Sequence, residues 1–286
     1  MNRLIKILIF SGALLLGDNV LAQDTNFWIF VCFGQSNMEG FPGIEAQDKD
    51  GIDPRFQVLA AVDFPNQNRT NGNWYPAIPP LCRPNSGISP ADYFGRTMIS
   101  ILPPSIRVGV VSVAVAGCKI ELFDKVKYES YASSTNTASW MKRIIETYSG
   151  NPYQHLVDTA RRAQKDGVIK GILLHQGESN NNDKEWPNKV EGIYENLLKD
   201  LNLKAEEVPL LVGELVNADQ NGACAGMNRI IDDLPKTVPT AHIVSSAGCE
   251  ARRDRLHFAP AGYREFGKRY GEMMLSLLGY KSTVEK

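Results

Sequence analysis

The sequence predicts an α/β domain with a mainly parallel sheet and helices on both of its faces. Three observations carry this. Continuous apolar runs rich in β-branched and aromatic residues recur at 27–33, 108–115 and 168–174, as expected of strands covered on both sides. Amphipathic helical patterns alternate with the runs, which implies βαβ units. Each of the three runs also leads into a small or polar motif, at Ser36, Gly117 and Gln176. In a parallel sheet those ends gather on one edge, where ligands bind.

Residues 1–22 stand apart. Arg3 and Lys6 give a positive start, and the apolar stretch 7–16 is too short to span a bilayer. Val20, Leu21 and Ala22 then precede a cleavage point ahead of Gln23. This reads as a secretory signal peptide, followed by one domain over 23–286, exported to the periplasm or the medium, with no membrane segment after cleavage. The absence of a cysteine after Ala22 argues against a lipid anchor.

The first strand, 27–33, ends at Gly34, which permits a sharp bend. Residues 56–62 read as a strand. The segment 66–87 is loop-like, with Trp74, Tyr75, Ile78 and Leu81 embedded in it. Both a substrate wall and a self-packed surface loop fit that pattern. Ser89, Pro90 and Asp92 mark a helix start, and Tyr93, Phe94, Met98 and Ile101 share one face. Pro103 and Pro104 end it. The strand 108–115 runs into Gly117. A helix over 152–166 closes at Gly167, and the strand 168–174 leads to His175 and Gln176. A helix over 186–203, a strand over 209–216, a short helix over 227–234, a strand over 241–245 and a closing helix over 260–278 complete the chain.

Composition is that of a globular protein: 286 residues, 43% apolar, 22% charged, formal net charge -1. No basic or acidic block points to nucleic acid or an anionic membrane. After cleavage Cys32, Cys82, Cys118, Cys224 and Cys249 remain. Export permits disulfides, an odd count leaves one thiol over, and Cys32 fits a small buried hydrophobe inside its strand. No Cys/His spacing suits a structural zinc.

Ser36, just past a strand's carboxyl end, is a candidate nucleophile, and it needs a base. Of four histidines, His155 lies within a helix, His242 within a strand, and His175 ends a strand. His257 follows Asp254 by three residues on a turn. A carboxylate so placed can accept the Nδ1 hydrogen and leave Nε2 facing a serine.

Gly34-Gln35-Ser36-Asn37-Met38, Gly117, His175-Gln176-Gly177-Glu178-Ser179 and Asp254-Arg255-Leu256-His257 resemble the ordered blocks of the SGNH hydrolase superfamily. Within it the chain is similar to the sialate O-acetylesterase and acetylxylan esterase-like group, carbohydrate esterase family six. The resemblance implies a three-layer α/β/α sandwich with a flavodoxin-like sheet and no metal or other cofactor. It implies Ser36 as nucleophile, His257 as base and Asp254 as the acid that orients it. It also implies an oxyanion hole of Ser36 N–H, Gly117 N–H and the Gln176 amide. The Ala116-Gly117-Cys118 block departs from the paired glycines, or Gly followed by Ser or Thr, of relatives. Glu178 belongs to the signature. It is either a second acid near His257 or, the favoured reading, a structural residue bonding backbone around the nucleophile turn, since Asp254 already fills the orienting position.

The activity implied is removal of O-acetyl groups from carbohydrate, such as xylan or sialic acid, with the glycan and water as partners. A lipase or thioesterase of the same superfamily is the alternative within the enzyme class. In that reading the Trp74, Tyr75 and Trp186 region would form an acyl pocket, although flat aromatics also suit sugars. A non-catalytic glycan-binding module is the alternative outside it, but such a module should have lost the serine or the Asp–His pair.

Overall fold

The apolar runs form the centre of a seven-stranded sheet in the computed structural model, which describes residues 23–41 and 43–280. The leader assigned to 1–22 lies outside the described residues. Along the chain come β1 (Asp24–Gly34), α1 (Ser36–Glu39), α2 (Ala46–Lys49), β2 (Phe56–Leu59), β3 (Trp74–Pro76), α3 (Pro90–Ile101) and β4 (Arg107–Ala114). Then follow α4 (Tyr128–Ser133), α5 (Ser139–Thr147), α6 (Pro152–Gln164), β5 (Gly167–His175), α7 (Trp186–Asp200) and β6 (Leu210–Gly213). The chain closes with α8 (Asn228–Asp232), α9 (Leu234–Thr237), β7 (Ala241–Val244) and α10 (Pro260–Leu277).

The strand order is β3-β2-β4-β1-β5-β6-β7, with only β3 antiparallel. Five of the strands, β4-β1-β5-β6-β7, give the chain order 2-1-3-4-5 of a flavodoxin-like sheet, and the β2–β3 pair is added outside β4. The direction of winding reverses at β1. Register then does the positioning. Gly34 pairs with Ala114 on one side and with His175 on the other. The residues just beyond those three positions therefore emerge together at the sheet's carboxyl edge.

Alternation along β1 divides the core. Ile29, Val31 and Phe33 face a layer holding α5 to α9, while Phe30 and Cys32 face α3 and α10. The helix start at Ser89 is built by Asp92, whose carboxylate accepts the Ser89 N–H at 2.8 Å and the Ser89 hydroxyl at 3.0 Å.

Several elements escaped the sequence pattern, the one-turn helices α1 and α2 among them. β3 is three residues long and ends in proline, too short to show period two. α4 and α5 lie in a stretch with no strand or cap signal, although Met141, Ile144 and Ile145 do share a buried face on α5. The short helix expected over 227–234 is split into α8 and α9, with Pro235 at the start of the second. Among the described residues no helix is long and apolar enough to cross a membrane. All five cysteines are unpaired thiols, four of them buried.

Candidate active site

Ser36 opens the one-turn helix α1. Gly34 makes the bend that leads to it, with φ of 148°. A Cβ there would lie 2.1 Å from the His175 carbonyl oxygen, so no other residue fits without moving β5. The Gln35 N–H donates to that same carbonyl at 3.1 Å, and the Met38 and Glu39 N–H groups donate to Gln35 O at 2.8 Å. Asn37 fixes the turn from below. Its Nδ2 donates to Glu178 Oε1 at 2.6 Å and to Leu256 O at 3.0 Å, and its Oδ1 accepts the Tyr263 hydroxyl at 2.5 Å. Glu39 accepts the Ala116 N–H at 2.7 Å and pairs with Arg83, which ties the turn to the loop carrying Gly117. Burial pushes the Glu39 carboxyl up, against the pull of Arg83 and that N–H.

His257 comes to Ser36 from a chain distance of 221 residues. Its Nε2 lies 2.9 Å from Ser36 Oγ, and its Nδ1 lies 3.0 Å from Asp254 Oδ2. Asp254 Oδ1 meanwhile accepts the N–H groups of Leu256 and His257, each at 3.0 Å. Burial raises the Asp254 pKa, but these hydrogen bonds and the His257 ring outweigh it and hold the carboxyl below its usual range. A carboxylate only accepts, so Nδ1 carries the hydrogen and the Nε2 lone pair faces the Ser36 hydroxyl. Geometry and electrostatics together suit proton transfer from Ser36 Oγ to Nε2.

The other site residues named from the resemblance are placed as follows. Gly117 lines the same pocket as Ser36, with φ of 69°, and its carbonyl accepts the Ser179 hydroxyl at 2.8 Å. Neither the Ser36 N–H nor the Gly117 N–H has an acceptor among the described residues, and both residues line the pocket. Gln176 departs from the role implied for it. It is 0% exposed and is absent from the pocket lining. Its Nε2 faces Gln35 Oε1, Asn180 Oδ1 and Cys118 O at 3.0, 2.8 and 3.2 Å, so its two hydrogens are engaged beneath the site. Glu178 bonds the Asn37 side chain rather than backbone, and its Oε2 is buried with no partner among the described residues.

A cavity of about 510 Å³ opens over the serine. Its aromatic residues are Phe41 and Trp140, 43% and 45% exposed, neither of which stood out in the sequence. Phe41 stacks on the His257 ring at 4.2 Å, and the Arg252 guanidinium lies over Phe41 at 5.1 Å. A Cβ on Gly117 would meet Trp140 at 2.9 Å. Of the two readings open for the 66–87 aromatics, packing away from the cavity is the one observed, and Trp186 also lies outside it. Trp74 packs edge-on against Phe27 and donates to Asp166, Tyr75 pairs within the β2–β3 ladder, and Trp186 is fully buried. From the 66–87 segment only Arg83 and Asn85 reach the cavity.

Of the remaining histidines, His155 bonds Ala61 O at 2.6 Å. His175 is buried with Nε2 at 3.0 Å from Glu214 O, and burial lowers its pKa. Among the described residues no group of three or more His, Cys, Asp or Glu is arranged to hold a metal.

Solved structures share this architecture. A protein of Arabidopsis thaliana is 19% identical, with a TM-score of 0.65, covering 87% of this chain and 98% of its own. A carbohydrate acetylesterase from Xanthomonas citri is 15% identical, with a TM-score of 0.60, covering 87% of this chain and 56% of its own. NanS is 16% identical, with a TM-score of 0.61, covering 90% of this chain and 98% of its own. At these identities the likeness is one of fold. The family pattern described as carbohydrate esterase, sialic acid-specific acetylesterase matches residues 26–276, and it spans the Ser36 turn, the loops at Gly117 and Gln176 and the Asp254–His257 pair. The chain therefore belongs to the carbohydrate esterase family of sialic acid-specific acetylesterases.

Proposed function

We propose that this protein is an exported serine esterase that removes O-acetyl groups from a carbohydrate through an acetyl-enzyme on Ser36. The observation that carries the reading is the chain of hydrogen bonds from Asp254 through His257 to Ser36 Oγ at the floor of an open cavity. Family membership supports the acetyl ester of a sugar as the bond attacked, and the exposed rings of Phe41 and Trp140 suit a sugar face. Export rests on the leader-like sequence of residues 1–22.

The reaction runs in two halves. Ser36 Oγ bonds to the acetyl carbon as its proton passes to His257 Nε2, and the carbonyl electron pair moves onto oxygen. The Ser36 and Gly117 N–H groups donate to that oxygen. The tetrahedral centre collapses, the sugar oxygen leaves, and Nε2 returns the proton to it. Water then gives a proton to Nε2 and its oxygen to the acetyl carbon, and acetate departs as Ser36 recovers its hydrogen. Asp254 holds the ring and stabilises the imidazolium formed in each half.

Acetate release from acetylxylan, O-acetyl sialic acids and acetylated pectin, with Ser36→Ala in parallel, tests the proposal. Release from one glycan, absent in the variant, is expected. A p-nitrophenyl ester series should favour acetyl sharply. A preference for long acyl chains would instead support a lipase or thioesterase, and glycan binding without hydrolysis of any ester would support a binding module.

A further inference from the structure

Displacement of Gln176 from the pocket leaves two backbone N–H groups as the implied oxyanion donors, and a buried chain of amides leads from Gln176 to Gln35 at the pocket wall. The Trp186 indole N–H can only donate, and it lies 2.6 Å from Gln176 Oε1. That fixes the oxygen end of Gln176 toward Trp186 and the nitrogen end toward Gln35. Asn180 fixes the same orientation independently. Its Nδ2 faces the carboxylates of Glu121 and Asp183, each at 3.0 Å, so its Oδ1 is the atom offered to Gln176 Nε2.

The same polarity extends to Gln35. Gln35 Oε1 accepts from Gln176 Nε2 at 3.0 Å and lies 3.3 and 3.5 Å from the Ser179 and Gly177 backbone N–H groups, which cannot reverse their polarity. Gln35 is only 3% exposed, yet it lines the pocket. Its Nε2 has no acceptor among the described residues and is not among the fully enclosed unpaired atoms. That nitrogen is therefore the amide end left to the cavity, which Gln35 lines together with Ser36 and Gly117.

We propose that the Gln35 side-chain amide is the third oxyanion donor, and that Gln176 is a positioning residue that aims it. The proposal rests on the esterase reading above and deepens it. As Ser36 Oγ bonds to the acetyl carbon and the carbonyl pair moves onto oxygen, Gln35 Nε2–H donates to that oxygen, which carries full charge only in the tetrahedral state. A donor fixed in advance stabilises that state without reorganising. Gln176 reaches the reaction only through Gln35.

Gln35→Met keeps the bulk and removes the donor, and Gln176 retains two acceptors in Asn180 and Cys118, so the fold is expected to persist. On p-nitrophenyl acetate, kcat should fall about 10²–10³-fold with KM nearly unchanged. Affinity for a boronic acid, whose adduct on Ser36 is tetrahedral and places an oxygen in the hole, should fall about tenfold or more. Trp186→Phe should slow the wild-type background and leave the Gln35→Met background unaffected, because its effect passes through the amide chain. Turnover in Gln35→Met within about threefold of wild type, or equal losses from Trp186→Phe in both backgrounds, would overturn the assignment while leaving the esterase reading intact. A wild-type protein inert on every ester would overturn both.

Discussion

The turn that carries Ser36 and the loop that carries Asp254 and His257 meet across 2.9 Å, yet they are built differently. Gln35, Ser36, Asn37 and Glu39 are all buried polar residues, and the bonds that hold them come from distant parts of the chain: His175, Glu178, Ala116, Arg83 and Tyr263. The 252–257 loop is mostly exposed, and the Asp254 side chain is 39% exposed. Its geometry is largely local, made by Asp254 with the N–H groups and ring two and three residues on. Asn37 joins the two regions through Leu256 and Phe258. Placement of the Ser36 hydroxyl thus depends on tertiary packing, whereas the His257 ring is oriented by a short sequence motif. Carboxyl groups follow the same division: burial raises Glu39, and Asp92 to about 7, while hydrogen bonds at the partly exposed loop lower Asp254.

The comparison can be broken from either side. The largest effect is expected from Asp254→Asn, which keeps an acceptor but loses the carboxylate that fixes the His257 tautomer. Turnover should drop about 10³–10⁴-fold while Tm changes little. A large fall in Tm would show that the exposed loop is a structural element after all.

Asn37→Ala should lower stability as well as turnover. It orphans the buried Tyr263 hydroxyl and the Glu178 carboxylate, so urea unfolding should report a loss of about 2 kcal/mol or more, with turnover falling as well. Unchanged stability would remove Asn37 as the link between the two regions.

A pH series sharpens the electrostatic half of the contrast. The pKa of Asp92 in the folded protein, about 7, lies above its ordinary value of 3.8 because of burial, although the Ser89 bonds oppose the rise. A raised carboxyl favours the folded state most at low pH, and that contribution is lost as pH rises from about 4 through about 7. The stability of wild type relative to Asp92→Asn should therefore fall over that window and level off above it. A difference independent of pH would contradict the shift. The smallest effect is expected from Phe41→Ala, which strips the His257 ring of its stacked neighbour. A change in kcat/KM of about three- to tenfold without loss of stability is the outcome to look for by steady-state kinetics and thermal unfolding.

Much of the scaffold was legible because it is written in local periodicity. The runs at 108–115 and 168–174 are β4 and β5 to within a residue at each end, and Pro90 does open α3. The pairing of Asp254 with His257 was legible for the same reason, since three residues on a turn suffice to bring them together. The aromatic walls were not. Trp74 and Trp186 are as aromatic as Trp140, and only packing decides that the first two are spent against Phe27, Asp166 and Gln176.

Short-range pattern and covalent spacing suffice for the layered parallel sheet, the edge on which its motifs end and the residue types that meet there. Which of two amides lines the pocket depends instead on packing between distant segments. Gln35 and Gln176 carry the same functional group 141 residues apart, and nothing in their local sequence tells donor from support. The register of Gly34 between Ala114 and His175 brings them together. The one-way hydrogen bond from Trp186 then fixes which end of each amide points where.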